Sequence, residues 1–123
     1  MSRRVERVAD EILHAVAALL QREIKDPRIG MVTLTGIKLS PDLRHARIFF
    51  SVIGDGEQRA RSLLGLQSAT GFVRGQLGRR LRLRVTPEIT FVFDPSIEQA
   101  ERVSRLLKEA GVADKDDERD PDR

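Results

Sequence analysis

The apolar residues Ala60, Leu63, Leu66, Ala69, Val73 and Leu77 recur at intervals of three or four, the spacing of one face of an α-helix. On both sides of this run the period changes to two. Ala46, Ile48, Phe50 and Val52 alternate with His45, Arg47 and Ser51 before it, and Leu81, Leu83, Val85, Ile89, Phe91 and Phe93 share odd positions after it, interrupted only by Pro87. A long helix between two strands is a crossover, and a strand reached by a crossover can lie parallel to a strand of the sheet it left, with the helix packed on one face. This arrangement predicts an α+β domain of two layers, with helices on one face of a three-stranded mixed sheet and the other face open.

The remaining elements fit around that crossover. Val5, Val8, Ile12, Val16 and Leu19 mark an amphipathic helix from Ser2 to about Lys25. Ser2 can cap it, and Asp26-Pro27 stops it, because proline disfavours the α conformation in the residue before it. Met31 to Ser40 reads as a strand whose parity changes at Gly36, the mark of a bulge. Ser40-Pro41-Asp42 is turn chemistry, so the strands on either side form a hairpin. Pro95-Ser96 opens a last helix with Ile97, Ala100, Val103, Leu106, Leu107 and Ala110 expected inward, ending at Gly111. Pro87 implies a bulge or an edge position in a third strand spanning Leu81 to Phe93.

Gly65, Gly71, Gly75 and Gly78 interrupt the crossover helix. Each costs a helix interior about 1 kcal/mol relative to alanine, so a kink, a close packing contact or both are expected. The kink is placed at Ala69-Thr70-Gly71. The order is then α-β-β-α-kink-α-β-α, a folded domain over residues 1–111 followed by a disordered acidic tail over 112–123.

Charge narrows the function. Residues 1–113 hold 19 Lys and Arg against 13 Asp and Glu, whereas residues 114–123 hold six acids against three bases. Seven arginines and no carboxylate lie between Gln58 and Pro87, and 18 of the 22 bases in the chain are arginine. A planar guanidinium engages phosphate oxygens in pairs and stacks on bases, which favours nucleic acid over a generic acidic partner. Arg82 and Arg84 are expected to project from one side of the third strand, with Arg79 and Arg80 crowding the junction before it. Such a group repels itself unless an anion is bound. Lys38, His45 and Arg47 would join Arg82 and Arg84 on the open face of the sheet. Arg59 and Arg61, near the helix start, read as solvated.

Other chemistries find little support in the residues. There is no cysteine, which removes disulfides, thiolate metal sites and a thiol nucleophile together and fits a reducing cytosol. His14 lies opposite the apolar stripe of its helix, and no third ligand sits at metal-binding spacing. His45 is open to base stacking or phosphate contact. Asp42, Asp55 and Asp94 border strands, where turn and cap duty is the default, although Asp42 and Asp94 are the pair to test for nuclease activity. All five aromatics are Phe, so the base-stacking platform of sequence-specific single-strand readers is missing and recognition of RNA backbone and shape fits better. No leader and no apolar run of ~20 residues is visible, so a soluble cytoplasmic protein is expected.

In order along the chain, Asp26-Pro27-Arg28-Ile29-Gly30, Leu39-Ser40-Pro41-Asp42-Leu43-Arg44, Ala46-Arg47-Ile48, Arg82-Leu83-Arg84, Pro87-Glu88-Ile89-Thr90-Phe91 and Asp94 resemble the ribosome-binding factor A family of small-subunit assembly factors. The likeness runs from about Arg3 to Leu107. It implies a type II KH-like fold whose Gly-x-x-Gly loop is replaced by a helix-kink-helix centred on Ala-x-Gly, a pattern that Ala69-Thr70-Gly71 matches. A literal Gly-x-x-Gly does occur at Gly75-Gln76-Leu77-Gly78 and leaves a phosphate-clamping loop as the alternative there. The resemblance further implies a non-enzymatic monomer without cofactor. It would bind free 30S subunits or their precursors, support 16S ribosomal RNA 5′-end maturation and growth at low temperature, and be released by an assembly GTPase. The RNA-binding surface expected is Arg44, Arg47, Arg74, Arg79, Arg80, Arg82 and Arg84. A general KH-type RNA chaperone not confined to the ribosome is the alternative of another class.

Overall fold

The computed structural model describes residues 3–111; the Ser2 cap and the acidic tail expected from sequence lie outside them. Six elements follow in order: α1 (Arg3–Arg22), β1 (Val32–Leu39), β2 (His45–Val52), α2 (Gly56–Leu81), β3 (Glu88–Phe93) and α3 (Ser96–Glu109). The sheet order is β1-β2-β3, with β1 antiparallel and β3 parallel to the central β2. The crossover thus delivers β3 alongside the strand that α2 leaves. Val5, Ile12, Val16 and Leu19 of α1 and Leu66, Val73 and Leu77 of α2 are buried with Leu39, Ala46, Ile48, Phe50, Ile89 and Phe91 of the sheet. Both helices therefore cover one sheet face, and Phe93 closes the core with an edge-on contact to Phe50, centroids 5.8 Å apart.

The parity change at Gly36 is a bulge. Leu34 pairs with Phe50 and Gly36 with Phe49, leaving Thr35 as the extra residue. Its hydroxyl donates to the Asp94 carboxylate at 2.7 Å, tying β1 to the junction between β3 and α3. Asp55 caps α2 in a reciprocal box: its carboxylate accepts from the Gln58 N–H, and the Gln58 side chain accepts from the Asp55 N–H.

Two expectations need correction. The third strand is shorter than its alternation suggests, because Leu81 ends α2, Arg82 caps it in the left-handed conformation (φ 51) and pairing begins only at Glu88 opposite His45. The Glu88 N–H reaches the Arg44 carbonyl at 2.8 Å. Upstream of that bond the β2 side of the sheet is already hairpin turn, so an extended 82–87 segment has no ladder to join. Arg82 and Arg84 consequently do not project from a strand. Second, α3 buries none of its residues: Ile97, Val103, Leu106 and Leu107 remain 45, 54, 58 and 41% exposed. Separately, α2 runs as one α-helical element through Ala69, Thr70 and Gly71, so a kink there is a bend within the helix rather than a break. Thr70 donates back to the Gln67 carbonyl at 2.9 Å, a local bond that bends helices without breaking them. With every amide donor present and Leu66, Val73 and Leu77 buried on one side, the glycines weaken the helix but do not divide it.

The close packing contact expected of the glycines lies elsewhere. A Cβ on Gly65 would sit 2.6 Å from Ile29 Cγ1, and one on Gly78 would sit 3.0 Å from Thr86 Oγ1, while Gly71 and Gly75 face open space. Ile29 belongs to the segment between α1 and β1, which is clamped on α2 from both sides. Arg28 forms an ion pair with Asp26 at 2.7 Å and donates to Ser68 Oγ at 3.0 Å. Buried Ser62 accepts from the Gly30 N–H at 3.1 Å. The Asp-Pro-Arg-Ile-Gly block is therefore a structural clamp. Its hydrogen bonds from the Arg28 side chain and backbone hold the Asp26 carboxyl below the usual carboxylate range and raise Arg28 in turn.

Candidate nucleic-acid interface

The basic residues are sorted by the fold into those that already have partners and those that do not. Arg74 belongs to the first group: its Nε donates to the Pro87 carbonyl and its terminal nitrogen to the Thr86 carbonyl, both at 3.1 Å. It fastens the 82–87 segment to α2. Arg80 pairs with Glu23 just beyond α1, so an acidic partner distant in sequence relieves part of the crowding at the α2 terminus. Arg59 stacks over the Phe93 ring at 4.5 Å and pairs with Glu98 of α3 at 3.2 Å. The solvated reading of Arg59 is thus incorrect; it links α2, β3 and α3.

Arg79, Arg82 and Arg84 form the second group. They are exposed and meet no carboxylate among the described residues. Arg79 lies in the last turn of α2, where the carbonyl end of the helix dipole favours a cation. Arg82 and Arg84 follow directly and line a cleft with Arg4 of α1 and the 41–43 turn of the hairpin. Sequence spacing gave no signal for Arg4, which only the fold brings beside them. Arg44 lies at the same end of the sheet; its exposed side chain follows a turn in which Asp42 accepts from the Ser40 hydroxyl at 2.7 Å and the Arg44 N–H at 3.0 Å. These bonds, the hydroxyl first, hold the Asp42 carboxyl below its ordinary range.

A second basic area covers the open face of the sheet. Lys38 and Arg47 are direct cross-strand partners on the exposed side, and like charges so placed disfavour each other unless an anion intervenes. Arg47 also lies over the Phe49 ring at 5.4 Å. His45 faces Glu88 at 3.7 Å on the same rim. The expected surface is therefore brought together in part: Arg44, Arg82 and Arg84 lie at the hairpin-turn end, Arg79 in the last turn of α2 and Arg47 on the sheet face. Arg74 and Arg80 also have partners within the fold.

The carboxylates weighed for catalysis are engaged. Asp94 accepts from the Ser96 N–H at 2.9 Å and from Thr35, and these bonds lower it. Asp42 serves the hairpin turn and Asp55 the helix cap, as their positions implied. No group of three or more His, Asp or Glu suited to a metal occurs among the described residues. No helix there is long and apolar enough to cross a membrane.

Comparison with known proteins agrees with this fold. The family model for ribosome-binding factor A matches residues 4–107. The ribosome-binding factor A of Natranaerobius thermophilus is 47% identical over 111 residues, covering 90% of this chain and 85% of the relative. A Thermotoga maritima candidate ribosome-binding factor A, solved in solution, is 34% identical with a TM-score of 0.67, covering 75% of this chain and 88% of the other. The Thermus thermophilus factor, a homology model fitted into a cryo-EM map of its 30S complex, shares the fold at 24% identity and a TM-score of 0.60 over 72% of this chain and 93% of the other.

Proposed function

Because the chain belongs to the ribosome-binding factor A family, we propose that it binds free 30S subunits and their precursors and assists maturation of the 16S ribosomal RNA 5′ end without catalysing a reaction itself. The observation that carries this reading is the group Arg79, Arg82 and Arg84, exposed at the junction of α2 and β3 with no carboxylate among the described residues to neutralise it. Phosphates of structured RNA fit that arrangement, since guanidinium forks gain paired hydrogen bonds and release counterions from the RNA. Arg44 extends the contact at the same end of the sheet, and Arg47 with Lys38 continues it across the open face. Gly71 and Gly75, where an added Cβ would meet nothing within 4 Å, leave two bare positions one turn apart on α2, which lets a sugar-phosphate backbone approach closely. The fitted 30S complex of the Thermus relative supports the same partner. Release by an assembly GTPase and a monomeric state complete the reading.

Sucrose-gradient sedimentation combined with a salt titration tests it. The protein should travel with 30S particles rather than with 50S, 70S or bulk RNA. With about four phosphate contacts, its affinity should fall roughly 100-fold as salt rises about fourfold. A flat salt response would remove the electrostatic mechanism, and uniform distribution over bulk RNA would favour a general RNA chaperone.

A further inference from the structure

The hairpin-turn end of the fold contains a cleft of about 500 Å3 between the first half of α1, the 41–43 turn and the 82–87 segment. Its lining is largely aliphatic, with Val8, Leu43, Leu83 and Val85 around the buried core residues Ile12 and Leu39, and three arginines, Arg4, Arg82 and Arg84, line it as well. Leu43 (φ 64) and Arg82 (φ 51) are the two non-glycine residues with left-handed backbone among the described residues, and both line this cleft. Side chains pay a steric penalty in that conformation, and such strain collects where a surface is shaped for a ligand. The one acid in the lining, Asp42, accepts from the Ser40 hydroxyl and the Arg44 N–H and forms no ion pair with Arg82 or Arg84, which leaves those two guanidiniums open to an anion.

An inorganic anion has no use for aliphatic walls, and an apolar peptide has no use for guanidiniums. A nucleotide uses both, through its flat apolar base and its phosphates. We propose that this cleft receives a single unstacked nucleobase from a looped or single-stranded stretch of RNA, with the phosphates on either side of it held by Arg82 and Arg84. The base lies against aliphatic side chains and a guanidinium plane, which substitutes for the missing aromatic platform. Little sequence preference follows, because the walls offer few hydrogen bonds to base edges. The inference rests on the RNA-binding reading above and adds to it a contact that is not electrostatic.

The test uses a seven-nucleotide unstructured RNA with 2-aminopurine at its centre, and the same RNA with an abasic central site. Burial of an extruded base should raise 2-aminopurine emission on titration with protein, and the abasic RNA should bind about tenfold more weakly. Val85→Asp places a charge in the wall at a position 42% exposed, where folding tolerates it, as melting would verify. It should abolish the emission change and reduce the intact RNA to the abasic affinity. Arg82→Ala with Arg84→Ala should weaken both RNAs alike and flatten the salt response by about two phosphate contacts. Equal binding of the two RNAs, no emission change, or no detectable binding of the heptamer overturns the cleft proposal while 30S sedimentation stands. Loss of 30S sedimentation by the unmodified protein overturns the underlying reading as well.

Discussion

The two ends of α2 carry similar residues and use them differently. At its start, Asp55 closes a capping box, Gly65 admits Ile29, and the charge of Arg59 is taken up by Phe93 and Glu98. At its finish, a non-glycine residue caps the helix in a strained conformation, and Arg79, Arg82 and Arg84 have no carboxylate beside them among the described residues. The first end is locally satisfied, so changes there should register as stability. The second leaves charge and shape uncompensated, so changes there should register as binding. An arginine count alone does not distinguish these roles; the distinction lies in what each guanidinium meets.

The strongest challenge to that division is charge reversal at the second end. Arg79→Glu, Arg82→Glu and Arg84→Glu together should weaken 30S association by on the order of 100-fold or more, with thermal melting nearly unchanged. A large loss of melting temperature instead would make these arginines structural.

Next come two glycines of the same helix. Gly65→Ala drives a Cβ to within 2.6 Å of Ile29 and should cost about 1–2 kcal/mol in denaturant unfolding, after the helical gain of alanine is allowed for. Gly71→Ala meets open space and should stabilise by roughly 0.5–1 kcal/mol. Reduced 30S binding by the stabilised Gly71→Ala protein would mark the bare helix surface as a contact. Unchanged binding would make Gly71 dispensable.

A smaller effect is expected of Arg59→Ala. Losing the stack on Phe93 and the pair with Glu98 should lower stability by about 0.5–1 kcal/mol and loosen α3, while 30S affinity stays within twofold. If the affinity falls with the stability intact, the two-ended division fails at its first member.

The least effect concerns acid. Asp26, Asp42 and Asp94 are held below the ordinary carboxylate range by hydrogen bonds. They bind protons more readily in the unfolded chain, so their stabilising contribution is present above the unfolded value near 4 and is lost as pH falls through the lower folded values. Melting temperature should be level from neutrality to about pH 5 and decline below about pH 4. Asp26→Asn should make that decline shallower.

Much of this architecture could be read from the residues because period and parity report local geometry. The bulge at Thr35 and Gly36, the Ser40-Pro41-Asp42 turn and the crossover all left such marks, as did the roles of Asp42, Asp55 and Asp94. What escaped was decided by partners remote in sequence. Leu81 to Val85 alternate as a strand does, but alternation does not reveal whether a neighbouring strand extends far enough to pair. The apolar spacing of α3 predicts a face, not a cover for it. The carbonyl partners of Arg74 were not legible because carbonyl groups exist at every residue and leave no trace in composition. Arg4 and Arg84 reach one cleft only after the whole chain has turned back on itself.

The bulge in β1 has a consequence at the rim of the sheet. An outermost strand offers unsatisfied amides and carbonyls to any passing copy, the first step toward fibrils. Here Thr35 is displaced from the regular pleat and Lys38 stands charged nearby, so an incoming strand would lose register partway and meet a cation. A single surplus threonine is thus a safeguard against zippering during refolding at high concentration.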